Sequence, residues 1–268
     1  MAESGSARGP RLKPAPRSGN VARVKAVILA AGMGSRLAPL TNDRPKPMVE
    51  VAGRPLVLRA LDRLAAVGIS GKDVIVVTGY REDVLHARLA AEGYDVTLVT
   101  NPRYSDWNSF YSLLVAREAV GDEAFLSLEG DVLFDGEVLP RLLAAPGVAQ
   151  LAVELRERCD AEAMKVQVDD AGKVRALAKE LDPETSIGEF IGIARFDREA
   201  GQQVFADLAR FVDEGITHQY YDHSYHRLAE RGELALEVVD ISDRVSMEID
   251  DLTDLAAAEA AWKARGEP

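Results

Sequence analysis

A single cysteine, Cys159, four histidines and an aromatic content of 6% leave several chemistries without material. One thiol cannot build an internal disulfide framework, and it argues against a cysteine-built zinc site. Positive charge is also short, with 32 Lys and Arg against 44 Asp and Glu and a formal net charge of −12. That balance speaks against a general nucleic-acid surface, because phosphate backbones are held by clustered cations. No apolar run approaches the ~20 residues that a membrane helix needs. The opening "MAESGSARGPRLKPAPRSGN" has no apolar centre to serve as a signal peptide. The expectation is a cytoplasmic protein with small or metal-bound partners, no nucleic acid and no membrane, and a homo-oligomer left open. Residues 1–22, where Arg8, Arg11, Lys13 and Arg17 stand among Gly, Ser and Pro, read as a disordered tail.

What the chain does have is apolar material, 47% of 268 residues, enough to bury a core. From Val24 onward short apolar runs alternate with helical patterns, the signature of βαβ units around a largely parallel sheet. Strands are expected at Val24–Ala30, Val74–Thr78, Val96–Thr100 and Ala124–Leu128. The segment "PLVLRALDRLAAVG" opens on Pro55, closes on Gly68 and carries a 3.6-residue apolar stripe, which predicts a helix. A second helix is expected from Glu82 to Ala91, a third over Arg198–Val212 and a closing one from Leu252 to Lys263. After about Leu142, "LAVEL", "AMKVQV", "KVRALAKEL" and "FIGIARF" read as strands, the middle two joined by a tight turn at "DDAGK". With neither an internal repeat nor a linker, residues 23–266 are expected to form one domain.

The stretch "VILAAGMGSRLAPLTNDRPKPMVEV" carries the most chemistry. Gly32, Gly34 and the small Ala30, Ala31 and Ser35 let backbone N–H groups approach a ligand and form an anion-binding nest after the strand. Arg36 adds a planar fork of donors suited to phosphate, and Lys46 a compact charge whose backbone Pro45 and Pro47 restrict. Together they make a triphosphate cradle. Neither the third glycine of a dinucleotide-binding loop nor the Gly-Lys-Ser/Thr of a P-loop is present. Asp131, in "SLEGDVLFD", follows a strand and falls at the carboxyl edge of the sheet, where a carboxylate can hold Mg²⁺ against a triphosphate. Glu129 and Asp135 are its neighbours, and Asp135 suits a helix cap better. In "SMEIDDLTDL", Asp250 ends a strand while Asp251 has the better placement as an N-cap.

With "LAAGMGSRL" at Leu29–Leu37 and "PKP" at Pro45–Pro47, the chain resembles the nucleotidylyltransferases that activate sugar phosphates and phospho-alcohols. The segments "NPRYSDWNSFYSLL", "EGDVLFD", "GEFIGIARF" and "QYYDHSY" are similar to the cytidylyltransferase branch, including phosphocholine, inositol-phosphate and phosphonate enzymes. The resemblance implies an α/β fold, a Rossmann-like, mixed, mostly parallel sheet flanked by helices. It implies CTP and a small phosphate- or phosphonate-bearing acceptor as partners, with Mg²⁺ as cofactor on Asp131 and Asp250. Arg36, Lys46 and Lys165 would be catalytic. Nucleotide contacts would come from Leu29, Ala30, Ala31, Gly32, Met33, Gly34, Ser35, Thr78, Gly79, Asn108, Ser109, Ser112 and Glu129. For Ser109 the first turn of a helix is an equal reading. Acceptor contacts would come from Trp107, Lys179, Glu189, Phe190, Tyr220, Tyr221 and Asp222, with Tyr225 nearby. The histidines 218, 223 and 226 read as exposed helical residues, not as metal ligands. A sugar-1-phosphate nucleotidylyltransferase and a non-catalytic nucleotide-binding subunit are the competing readings.

Overall fold

A computed structural model describes residues 23–265. The expected tail at 1–22 and the end of the expected domain at 266 lie outside the described residues. Strand β1 (Val24–Leu29) alternates its side chains between two cores, Val27 to one face and Ala26 and Ile28 to the other. The ribbon of β2 (Glu50–Val51) and β3 (Arg54–Pro55) leads into α1 (Leu56–Ala66), and β4 (Val74–Thr78), α2 (Glu82–Ala91) and β5 (Thr97–Thr100) follow. Next come α3 (Ser109–Val115), α4 (Arg117–Val120), β6 (Ala124–Glu129), β7 (Val132–Phe134) and α5 (Val138–Ala144). The order β5–β4–β1–β6 is parallel throughout, as buried βαβ crossovers require.

Beyond β6 the sheet turns antiparallel. Strands β8 (Ala149–Leu155), β9 (Lys165–Val168), β10 (Val174–Ala178) and β11 (Gly188–Phe196) extend it, and β12 (Leu236–Asp240) runs parallel to β8. Strand β11 changes partner along its length. Gly188 and Glu189 pair with β9, whereas Ile193–Phe196 pair with β6, and the register against β8 shifts between Phe190 and Ala194. Helices α3, α4, α6 (Arg198–Asp213) and α7 (Asp222–Glu230) cover one face around Phe110, Phe125, Phe211 and Tyr225. Helices α1, α2 and α5 cover the other around Leu58, Leu61, Leu85 and Leu139. A smaller cluster of Leu37, Val49, Leu133, Ile249 and Trp262 seats α8 (Leu252–Arg265). The result is an α/β fold with a mixed sheet, parallel at its centre and flanked by helices. No helix among the described residues is long and apolar enough to cross a membrane.

The boundaries differ from expectation by up to three residues, the largest at the end of β10. Helices α5 and α7 were not delimited by the sequence reading, and neither was the pairing of β7 with β13 (Ser246–Glu248). The histidines are a correction. His218 precedes α7, whereas His223 and His226 are half-buried: the His223 ring packs on Phe211, and His226 Nδ1 accepts from the Leu177 backbone N–H at 3.1 Å. Tyr225 is wholly buried in the core and does not line the cavity described next.

Candidate active site

A cavity of about 660 Å³ opens over the carboxyl ends of β1 and β6, where an open α/β sheet leaves room between diverging loops. Its first wall is the loop after β1. Gly34 takes φ +64° there, and a Cβ at that position would fall 2.7 Å from Lys46 Cβ, so only glycine lets the Lys46 stem lie against the loop. Two 3₁₀ turns follow, Ser35–Leu37 and Lys46–Met48. The second presents Lys46, whose residue is only 8% exposed.

Its second wall comes from far along the chain. Strand β13 pairs antiparallel with β7, Glu248 opposite Val132, and Ile249 N–H then donates to Asp131 C=O at 3.1 Å. That ladder brings Asp250 beside Asp131. Lys46 Nζ stands 2.6 Å from Asp131 Oδ2 and 2.5 Å from Asp250 Oδ1, and Glu248 Oε1 is 3.9 Å away. Arg36 reaches in from the open side to Asp250 Oδ2 at 2.7 Å. Burial opposes the Lys46 charge, yet Asp131 and then Asp250 outweigh it and hold its pKa above the ordinary lysine value. Burial likewise opposes the Asp250 charge, and Lys46 with Arg36 overcomes it, so Asp250 titrates below the usual carboxylate range. Glu248 goes the other way, pushed up to about 7 by burial and then by Asp131 and Asp250.

Glu129 completes this acidic edge. Burial, then Asp131 and Glu248, raise its pKa well above the ordinary value, and Tyr221 OH donates to its Oε1 at 2.7 Å. Its other oxygen fits over Gly192, which has φ +75° at the point where β11 changes partner, and a Cβ there would lie 2.7 Å from Oε2. Oxygens of Glu129, Asp131 and Glu248 come within 4.8 Å of one another, and Asp131 Oδ1 is buried with no hydrogen-bond partner. Hard oxygen donors with an unsatisfied lone pair fit a magnesium ion.

The far end is built from β11, α7 and the loop 156–164. Glu189, Phe190, Tyr220, Tyr221, Asp222 and Lys179 line it, together with Arg156, Asp160 and Glu162. Arg156 is held by Glu189 at 2.5 Å and Glu154 at 3.2 Å, and Lys179 is 3.7 Å from Glu162. Asp222 is 7% exposed, and burial pushes its pKa up to about 7, with Lys179 offsetting this only in part.

Of the residues expected from sequence, Leu29, Ala31, Gly32, Arg36, Lys46, Trp107, Asn108, Ser109, Ser112, Glu129, Asp131 and Asp250 line the cavity with the far-end set. Ala30, Met33, Gly34, Ser35, Thr78 and Gly79 do not. Thr78 is fully buried and donates to Glu82 at 3.0 Å, while Gly79 packs against Tyr104. Asn108 caps α3 through the Ser109 N–H and also ties down the His218 carbonyl. Lys165 is a correction. It is 1% exposed, and its ammonium donates to the carbonyls of Ala161, Ala163 and Lys179 at 3.2, 3.3 and 2.6 Å. It holds together the backbone of the far rim, and Lys179 is the lysine that faces the cavity. Glu248 was missed, although "EID" places it two residues before Asp250, on the same face of an extended chain.

Asp251 accepts from Thr253 N–H at 2.7 Å and Asp254 N–H at 3.0 Å, which makes it the cap of α8. Two aspartates adjacent in sequence thus carry different expectations. For the nucleotidyl transfer that the resemblance implies, Asp250→Asn is expected to cut activity by about 10²-fold or more. Asp251→Ala is expected to lower the melting temperature slightly and leave transfer within a few-fold. Pyrophosphate release and thermal melting of both variants check this, and equal losses of transfer would refute it.

The chain is also similar to known proteins in sequence and in fold. The sequence model of the MobA-like NTP transferase domain matches residues 26–186. The CMP-5'-(3-aminopropyl)phosphonate synthase of Streptomyces rubellomurinus is 35% identical over 248 residues, which are 88% of this chain and 38% of that protein. A UTP–glucose-1-phosphate uridylyltransferase of Haloferax volcanii is 34% identical over 121 residues, 44% of this chain and 49% of that protein. The chain spans half or less of the length of these curated relatives. The solved CTP:phosphocholine cytidylyltransferase of Streptococcus pneumoniae superposes with a TM-score of 0.72 at 26% identity, covering 89% of this chain and 99% of the other.

Proposed function

We propose, from the premise that the chain belongs to the MobA-like NTP transferase family, that residues 23–266 act as one domain that transfers CMP from CTP to a small phosphate- or phosphonate-bearing acceptor and releases pyrophosphate. The observation that carries this reading is the bridge of Lys46 between Asp131 and Asp250, with Arg36 at its open side. A scaffold has no use for a lysine held at 8% exposure between two carboxylates, because burying charge is costly unless it serves a ligand.

An acceptor oxyanion attacks the α-phosphorus, its lone pair forms the new P–O bond, and the bond to the bridging oxygen breaks with its electrons leaving on pyrophosphate. The attacking oxygen is already deprotonated near neutral pH, so the chain needs neither a nucleophile nor a strong base. Arg36 and Lys46 stabilise the charge that develops on the α-phosphate and the departing pyrophosphate. Asp131 and Asp250 would hold magnesium, with Glu248 and Glu129 beside them, and the bound ion supplies charge neutralisation at the phosphates.

For the acceptor, an ammonium-bearing compound is favoured. Asp222 is a buried carboxylate facing the cavity, and among the described residues it makes no ion pair, whereas Arg156 is already engaged by carboxylates. Tyr220 and Phe190 add aromatic faces at the same end. The test is pyrophosphate release over CTP, UTP, dTTP, ATP and GTP against phosphocholine, aminoethylphosphonate, hydroxyethylphosphonate, inositol phosphate, glycerol phosphate and glucose-1-phosphate. CTP with an amine-bearing acceptor is the expected pair. Turnover with glucose-1-phosphate alone would move the protein to the sugar-phosphate reading, and nucleotide binding without turnover would support the non-catalytic one.

Asp222 also sets a pH expectation. Its folded pKa of about 7 lies above the ~3.9 of an unfolded aspartate, so the folded state favours its neutral form. The stability it contributes is complete below pH ~4 and is lost as pH rises through about 7. Asp222→Asn, neutral at every pH, is expected to gain about 2–4 kcal/mol on the wild type between pH 4 and 8. Urea melts at both pH values check this, and parallel stability curves would refute it.

A further inference from the structure

The Lys46 ammonium fills the gap between Asp131 Oδ2 and Asp250 Oδ1, at 2.6 and 2.5 Å. Those two carboxylates are the ones the proposed function gives to the divalent ion, and this inference rests on that reading. A magnesium ion requires oxygen donors at about 2.0–2.1 Å in a near-ideal octahedron. With Lys46 on one oxygen of each carboxylate and Arg36 on the other oxygen of Asp250, only Asp131 Oδ1 is left open, so an ion shared by both carboxylates requires the ammonium to leave. The lysine backbone is also fixed, in a 3₁₀ turn between Pro45 and Pro47 with its stem against Gly34, so only rotation of the side chain can clear the gap.

We infer that Lys46 is a placeholder for the ion. In the nucleotide-free protein it closes the carboxylate pair, and it releases them when its ammonium is drawn onto the phosphates of the incoming nucleotide. Ion and nucleotide are thereby coupled without touching. While Lys46 holds the gap, the ion-competent state is a minor fraction and apparent affinity falls by that fraction. Linkage makes the effect reciprocal, so each ligand strengthens the other by the same factor.

The test is Mn²⁺ binding to the nucleotide-free protein, followed by electron paramagnetic resonance. Lys46→Met is expected to bind Mn²⁺ about 5- to 150-fold more tightly than the wild type, the span usual for coupled sites. Arg36→Met removes the same charge from Asp250 but leaves the gap filled, and is expected to tighten binding far less. No tightening in Lys46→Met, or equal tightening in Arg36→Met, would overturn the inference, the latter because charge rather than occupancy would be the cause. Lys46→Gln is the second variant, in case the methionine does not fold, with circular dichroism as the check. Adding Asp131→Asn to Lys46→Met is expected to abolish the gained binding. If tight binding survives that addition, the ion sits elsewhere and the inference falls together with the assignment of Asp131. If wild-type binding needs Asp131 yet Lys46→Met gains nothing, the inference falls alone.

Discussion

Asp131→Asn should reduce CMP transfer by about 10²–10³-fold, the loss that follows removal of one preorganised charge from a transition-state site. Asp131 meets Lys46 through Oδ2 and leaves Oδ1 buried without a partner. An amide would present either an N–H group to the lysine, which repels it, or a neutral oxygen, which cannot balance it. The fold should survive, because Asp131 is crowded by Glu129 and Glu248 and its neutralisation relieves like-charge repulsion. The melting temperature is therefore expected to hold or rise while pyrophosphate release collapses. Glu248 should also titrate lower than its present value of about 7, since Asp131 is, after burial, the main cause of its rise. Transfer within tenfold of the wild type would remove Asp131 from the proposed chemistry.

Gly192→Ala should be strongly damaging for a single methyl group. The residue sits at φ +75°, where a side chain costs about 1–3 kcal/mol of backbone strain. The new Cβ would also lie 2.7 Å from Glu129 Oε2, pushing that carboxylate off the Tyr221 hydroxyl and adding about 1–3 kcal/mol for buried polar groups left unpaired. The sum, about 2–6 kcal/mol, corresponds to a fall in melting temperature of roughly 2–4 °C per kcal/mol for a domain of this size. Calorimetry checks the stability, and a shift below about 2 °C would mean that β11 absorbs the methyl by moving. Pairing the mutation with Glu129→Ala should recover the steric part of the loss and leave the backbone part.

What could be read from the sequence follows the range of the interaction concerned. The strand that ends in Leu29, the helix between Pro55 and Gly68 and the cap at Asp251 are local, and their residues announce them within one or two turns. The loop with Arg36 and Lys46 was legible because it is one contiguous string. Glu248 was not, because its role depends on a ladder of three residue pairs between β13 and β7, too short to leave a period in either segment. Lys165 was misplaced for a related reason. A strand lysine beside a site gives the same sequence signal whether its ammonium points at a ligand or, as here, at the carbonyls of Ala161, Ala163 and Lys179. The partner change of β11 at Gly192 is likewise invisible until β6, β8 and β9 are all in place.

The contact between Lys46 and Asp250 joins residues 204 apart, whereas the matched family region stops at 186. During synthesis the cradle for the phosphates therefore leaves the ribosome long before the carboxylate that completes the site. A chain interrupted between residue 186 and Asp250 would carry the family's recognisable portion without the carboxylate that completes the proposed site. The same stitch makes the site report on the whole molecule, since the contacts of Lys46 with Asp131 and Asp250 tie the loop after β1 to the end of β6 and to the segment that leads into the final helix.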